Sequence, residues 1–108
     1  MQRGDLFLCA DVKGDFTNKP RPVLIVQATD YLGVVESVTI CPITSVLSKA
    51  SLRITVKAQG ETGLNVDSSV EVDKISTVKL SRLGNKIGVM PAQQRFQLDN
   101  ALRDWLDL

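Results

Sequence analysis

Apolar and polar residues alternate in short blocks through most of the chain, and each block implies an element. Asp5–Asp11 (D-L-F-L-C-A-D) is mostly apolar and predicts a short strand. Residues 12–19 (V-K-G-D-F-T-N-K) carry turn chemistry at Gly14-Asp15 and Thr17-Asn18 and predict a loop. Pro22–Gln27 is a continuous apolar run, as expected of a strand buried on both faces, and residues 30–36 predict a turn. Ser37–Ile43 (S-V-T-I-C-P-I) is a β-branched third strand interrupted near its end by Pro42. Arg53–Lys57 alternates apolar and polar, so it predicts a half-buried strand. Val70–Val72 and Ile75–Lys79 are two further short strand segments. Residues 58–69 form the longest loop-like stretch.

The period changes after Pro91. Phe96, Leu98, Leu102, Trp105 and Leu106 recur at helical spacing and predict an amphipathic helix over residues 92–106, with proline near its first turn. Trp105 is assigned to the core or to an interface. Short strands followed by one terminal helix predict a mainly β fold, a small bent antiparallel sheet or barrel.

Composition adds exclusions. The length of 108 residues suits one domain, 1–108, and small domains of this kind often dimerise. The net charge is +1, so binding to nucleic acid requires a local patch. There is no histidine, which removes the usual acid–base group near neutral pH and with it Ser-His-Asp and Cys-His catalysis. Cys9 and Cys41 lie in apolar surroundings without metal-ligand spacing, and are read as reduced, packed thiols rather than as a disulfide or a reactive pair. No metal or cofactor is expected. Without a signal-peptide core or a run of roughly 20 apolar residues, the expected location is the cytoplasm, with no membrane association.

Polar groups gather at strand ends, where a rigid sheet displays functional side chains. Arg21 stands between Pro20 and Pro22, which hold its backbone extended. Thr44-Ser45 follows the third strand, Asp73-Lys74 follows V-E-V, and Asp15 and Lys19 lie in the first loop. Taken singly, each has an ordinary explanation: a strand-entry arginine in water, or solvated turn residues.

In combination they resemble a known family. The opening R-G-D-L, the segment G-D-F-T-N-K-P-R-P-V-L-I-V-Q, the strand end V-T-I-C-P-I-T-S and G-L-N-V-D-S-S-V-E-V-D-K-I-S-T-V are similar, in order and spacing, to the MazF/PemK (Kid) toxins. The resemblance implies the small SH3-like barrel shared by MazF, Kid and CcdB toxins, working as a homodimer. It implies a toxin of a type II toxin–antitoxin system, a metal-independent endoribonuclease of single-stranded RNA that a cognate antitoxin inhibits. Carried over by position, Arg21 matches the arginine of the R-P motif and Thr44 the threonine of P-x-T-S, the implied catalytic pair. Asp15, Phe16, Lys19, Ser45, Asp73 and Lys74 are the implied RNA-binding residues.

Such chemistry suits a chain without histidine, because the substrate's own 2′-hydroxyl is the nucleophile. A guanidinium fork matches two phosphate oxygens, and a threonine hydroxyl supplies a further donor. Two positions depart from the family pattern. Phe16 stands where many members carry a glutamate, with Asp15 beside it; Glu71 stands where Kid-like members carry an arginine. Phe16 also offers a face on which a base can stack. The alternatives are a CcdB-like gyrase poison, disfavoured by the ending Trp105-Leu106-Asp107-Leu108 in place of Trp-Gly-Ile, and a non-catalytic barrel binding RNA or a peptide.

Overall fold

A computed structural model describes residues 1–10 and 19–108. Among the described residues there are seven strands, β1 (Asp5–Cys9), β2 (Arg21–Ile25), β3 (Ser37–Thr44), β4 (Arg53–Val56), β5 (Ser68–Glu71), β6 (Ser76–Lys79) and β7 (Leu83–Val89), followed by one helix, α1 (Ala92–Leu106). Every pairing is antiparallel. The order across the sheet is β4-β5-β3-β2-β1-β7, with β6 also paired to β3. This is the mainly β class with a C-terminal helix that the pattern predicts.

β3 organises the sheet. Its first half, Ser37 to Ile40, pairs with β6; Ile40 to Pro42 pair with β2; Ile43 and Thr44 pair with β5. A strand that changes partners along its length has to bend, and its two faces are both covered. Leu24, Cys41, Ile54, Val70, Met90 and Leu98 belong to one buried cluster. Val23, Ile25, Val38 and Ile40 belong to the other, with Cys9 and Val78. Successive strand residues point to opposite faces. The unbroken run Val23-Leu24-Ile25-Val26 therefore supplies both clusters, which is why it does not alternate.

β7 is absent from the sequence-based expectation. Its segment L-G-N-K-I-G-V holds two glycines, which weaken strand propensity, and its side chains are only partly buried or exposed. Pairing with β1, broken by register shifts, holds it in place. β5 begins at Ser68, inside the expected 58–69 loop, and the other strand limits shift by one or two residues.

The helix occupies its predicted span, but not all of its predicted face is covered. Leu98 and Ala101 are buried and Leu102 packs beside them, whereas Phe96 is 70% exposed and Trp105 46%. The span closes with Asp107 in the left-handed region (φ 57°), whose position suits a helix C-terminus. The R-G-D opening is structural. Arg3 bonds the Val26 carbonyl through Nε (2.9 Å) and Asp99 on α1 through Nη2 (2.9 Å). Gly4, at φ 95°, lies under the Arg95 guanidinium, where a Cβ would sit 2.8 Å from Cζ. Among the described residues no helix is long and apolar enough to cross a membrane.

Candidate active site

The end of β2, the end of β3 and the loop ahead of β5 enclose a cavity of about 360 Å³. It is lined by Lys19, Pro20, Arg21 and Pro22, by Thr44 and Ser45, and by a wall of residues 63–66, with Leu8, Ile43 and Ile87 among the other lining residues. Two prolines and strand pairing to Cys9 hold the Arg21 backbone. The β2–β3 register runs Ile25↔Ile40, Leu24↔Cys41, Val23↔Pro42. The ladder ends at Val23 and Pro42; Arg21 at the start of β2 and Thr44 at the end of β3 lie beyond it, and both line the cavity.

Thr44 is fixed from two directions. Its backbone pairs with Ser69 of β5. Its Oγ1 accepts a hydrogen bond from the Val46 N–H (3.2 Å), a local turn that leaves the hydroxyl proton available to a further acceptor. Among the described residues, the lining includes two cations, Lys19 and Arg21, and no carboxylate. A cavity so lined favours an anion, and the arginine fork beside a hydroxyl donor suits a phosphodiester.

The wall of residues 63–66 is anchored at both ends. Thr62 is fully buried, and its Oγ1 bonds the Lys57 and Gln59 carbonyls (both 3.0 Å) while accepting from the N–H groups of Gln59 (3.2 Å) and Leu64 (3.3 Å). Asp67 Oδ1 accepts from the Ala58 N–H (2.8 Å) and closes the base of the loop. Gly63 (φ 69°) lies against the Ile87 carbonyl, and Gly88 against the backbone of Thr62, so neither position has space for a Cβ. The Val89 N–H donates to the Glu61 carbonyl (2.7 Å) and completes the join to β7.

The chain matches the family model described as "PemK-like, MazF-like toxin of type II toxin-antitoxin system" over residues 2–106. It belongs to that family. It is 38% identical to a probable endoribonuclease MazF of Mycolicibacterium smegmatis, over all of this chain and 98% of that one. It is 28% identical to endoribonuclease MazF9 of Mycobacterium tuberculosis, again over its whole length and 98% of the relative. Among solved structures, the Mycobacterium tuberculosis toxin MazF-mt6 superposes with a TM-score of 0.80 at 30% identity, covering 94% of this chain and 96% of that one. A mycobacterial endoribonuclease in complex with its cognate antitoxin has the same fold, with a TM-score of 0.82 at 19% identity over all of this chain and 96% of that one.

Within this member of the family, the structure brings together Lys19, Arg21, Thr44 and Ser45 of the expected site. Asp15 and Phe16 lie outside the described residues. Asp73 and Lys74 do not line the cavity; they sit past the far end of β5 from Ser68, in a charge cluster. There Arg53 holds both Asp73 oxygens, at 2.7 and 2.9 Å, and also meets Glu71 Oε2 at 3.2 Å. Lys74 Nζ lies 3.3 Å from the same Glu71 oxygen. The hydrogen bonds from Arg53 hold the Asp73 carboxyl below its usual range, against the opposing effect of burial. Glu71 is accommodated because the facing strand supplies a guanidinium: Arg53 pairs with Glu71 in the β4–β5 register.

Sequence reasoning passed over Leu64, Asn65 and Val66 as lining residues. The signal was present in G-L-N-V, two apolar side chains flanking an amide directly after a glycine, but nothing local told it apart from an ordinary loop. The two cysteines are free and fully buried in different clusters. Burial pushes the Cys41 thiol up to about 12 and raises that of Cys9.

Proposed function

We propose that the protein is the endoribonuclease of a type II toxin–antitoxin pair, and that it cuts single-stranded RNA by metal-independent transesterification at Arg21 and Thr44. The observation that carries this reading is that Arg21 and Thr44 line one cavity whose lining, among the described residues, includes cations and no carboxylate. The family and the relatives named endoribonuclease support the reaction class.

In the proposed step the ribose 2′-oxygen attacks the adjacent phosphorus as the bond from phosphorus to the 5′-oxygen breaks. The 2′-hydroxyl proton leaves to an acceptor and the 5′-oxygen takes one up, giving a 2′,3′-cyclic phosphate and a 5′-hydroxyl. Negative charge grows on the two non-bridging oxygens. The Arg21 fork neutralises it, and the Thr44 hydroxyl donates to one of the same oxygens. Donors fixed where charge develops supply the largest share of such accelerations. Lys19 and Ser45 hold the flanking backbone, and Asp15 and Phe16 keep their assignment as RNA contacts. Asp73 and Lys74 contact RNA only outside the cavity.

The chain acts in this reading as one domain, a cytoplasmic homodimer that a cognate antitoxin covers. A solved relative bound to its antitoxin supports the partner, and the exposed Phe96, Trp105 and Leu106 supply apolar surface for association. The test is incubation of a long RNA with the purified protein in EDTA, with mapping of the ends. Discrete cuts bearing cyclic phosphate and 5′-hydroxyl ends, lost in Arg21→Ala, are expected. Intact RNA would overturn the activity, and a monomer at micromolar concentration would overturn the dimer.

A further inference from the structure

We propose that residues 63–66 form a base-reading wall and that Asn65 determines which nucleobase is accepted beside the cut phosphate. This rests on the ribonuclease reading above, and adds a specificity-determining residue to it.

The cavity's lining offers what each part of a nucleotide needs: Lys19, Arg21 and Thr44 supply charge and donors, Leu64 and Val66 apolar surface, and Asn65 a carboxamide. A nucleotide carries an anionic phosphate at one end and, at the other, a flat apolar base with a polar edge. With the phosphate at Arg21, the base meets the wall. Leu64 and Val66 contact its face, and the Asn65 carboxamide meets its edge.

Asn65 is equipped to read that edge. It is exposed and makes no hydrogen bond to the described residues, so its N–H and C=O are both available. One donor beside one acceptor can pair with neighbouring groups on the Watson–Crick edge of any base, guanine's O6 and N1–H included, so a fixed carboxamide selects by where along the edge it meets the base. A carboxylate at the same place presents acceptors alone, which match the adjacent N1–H and N2–H donors of guanine. Discrimination also requires that the reader keep its position. Here the wall is pinned by buried Thr62, by Asp67 on the Ala58 N–H and by the closely packed glycines 63 and 88, so an ill-matched base cannot be accommodated by moving the loop.

The test is cleavage of a randomised RNA pool by the parent protein, Asn65→Asp, Asn65→Ala and, as control, Asn85→Ala on β7, with sequencing of the 5′-hydroxyl ends. Asn65→Asp is expected to shift the preference at a single position beside the cut toward guanine by about tenfold. Asn65→Ala is expected to flatten that position alone, and Asn85→Ala to leave the profile as it was. An unchanged base preference in both Asn65 variants, with or without a uniform drop in rate, would overturn the inference. Competition binding of short oligonucleotides, 2′-deoxy at each position, separates the two readings. A base preference that Asn65→Asp alters, in a protein that cuts nothing, leaves the wall standing and removes the ribonuclease. Binding only of a peptide segment, with no oligonucleotide competing, would overturn both.

Discussion

Gly88 lies directly against the carbonyl of Thr62, closer than any side chain on residue 88 would allow. Through this contact β7, a strand of weak propensity, carries the loop that walls the cavity. Gly88→Ala should therefore lower stability by about 1–3 kcal/mol, the usual cost of forcing atoms into a filled space. Chemical denaturation read by Trp105 fluorescence measures it. An unchanged midpoint would show that the contact relaxes freely.

Removing the Thr44 hydroxyl should slow cleavage more than it destabilises the fold. Thr44→Val keeps the β-branched shape but loses both the donor and the acceptor for the Val46 N–H. The expected loss in kcat is about 10²–10³-fold. Thr44→Ser should recover most of it. Single-turnover cleavage of a fixed RNA compares the three, and equal rates in the valine and serine variants would assign Thr44 a purely structural part.

Arg21→Lys should behave nearly as Arg21→Ala in the chemical step, because a point charge does not replace two parallel donors. Binding of a non-cleavable oligonucleotide should fall less in the lysine variant than in the alanine one. Full activity with lysine would reduce Arg21 to a source of charge.

Asp73 makes stability depend on acid. Its carboxyl is held below the ordinary range by Arg53, so the folded state binds the proton more weakly than the unfolded one. The stabilisation is complete above the unfolded value of about 3.9 and is lost as pH falls through the lower folded value. Thermal melts of the parent protein and Asp73→Asn should differ at neutral pH and converge below about pH 4. Parallel curves throughout would show the pair to be idle.

The helix illustrates how far the pattern of residues reaches. Its span follows from Pro91 and the spacing of apolar side chains, and the structure agrees. Which of those side chains pack is a tertiary matter. Leu98 meets the core because α1 lies over β4 and the turn after β5, while Phe96, two residues earlier, points away. Leu98→Ala is expected to cost about 2–5 kcal/mol, as for a buried leucine, and Phe96→Ala less than about 0.5 kcal/mol in the isolated subunit. Equal losses in denaturation would contradict the packing.

Other parts were legible for equally physical reasons. Arg21 and Thr44 were visible as polar groups at strand ends beside prolines, but only the resemblance of the motifs around them joined the two as a pair. β7 was not legible, since its glycines serve a neighbouring loop rather than their own strand. The separation of Asp73 and Lys74 from the cavity was not legible either: the interaction that holds Asp73 comes from Arg53, 20 positions earlier.

Arg21 and Thr44, and the loop of residues 63–66 that lines the same cavity, are built from separate stretches of chain. Arg21 and Thr44 are fastened into β2 and β3, at the centre of the sheet, where altering one residue disturbs several pairings. Residues 64–66 hang from anchors on either side of them, at Thr62 and Asp67, and their side chains enter no strand ladder. Leu64 packs against the core, but Asn65 and Val66 are exposed. On the base-reading proposal, a lineage of such toxins can diversify its targets by editing these two positions of one loop while the cutting chemistry persists.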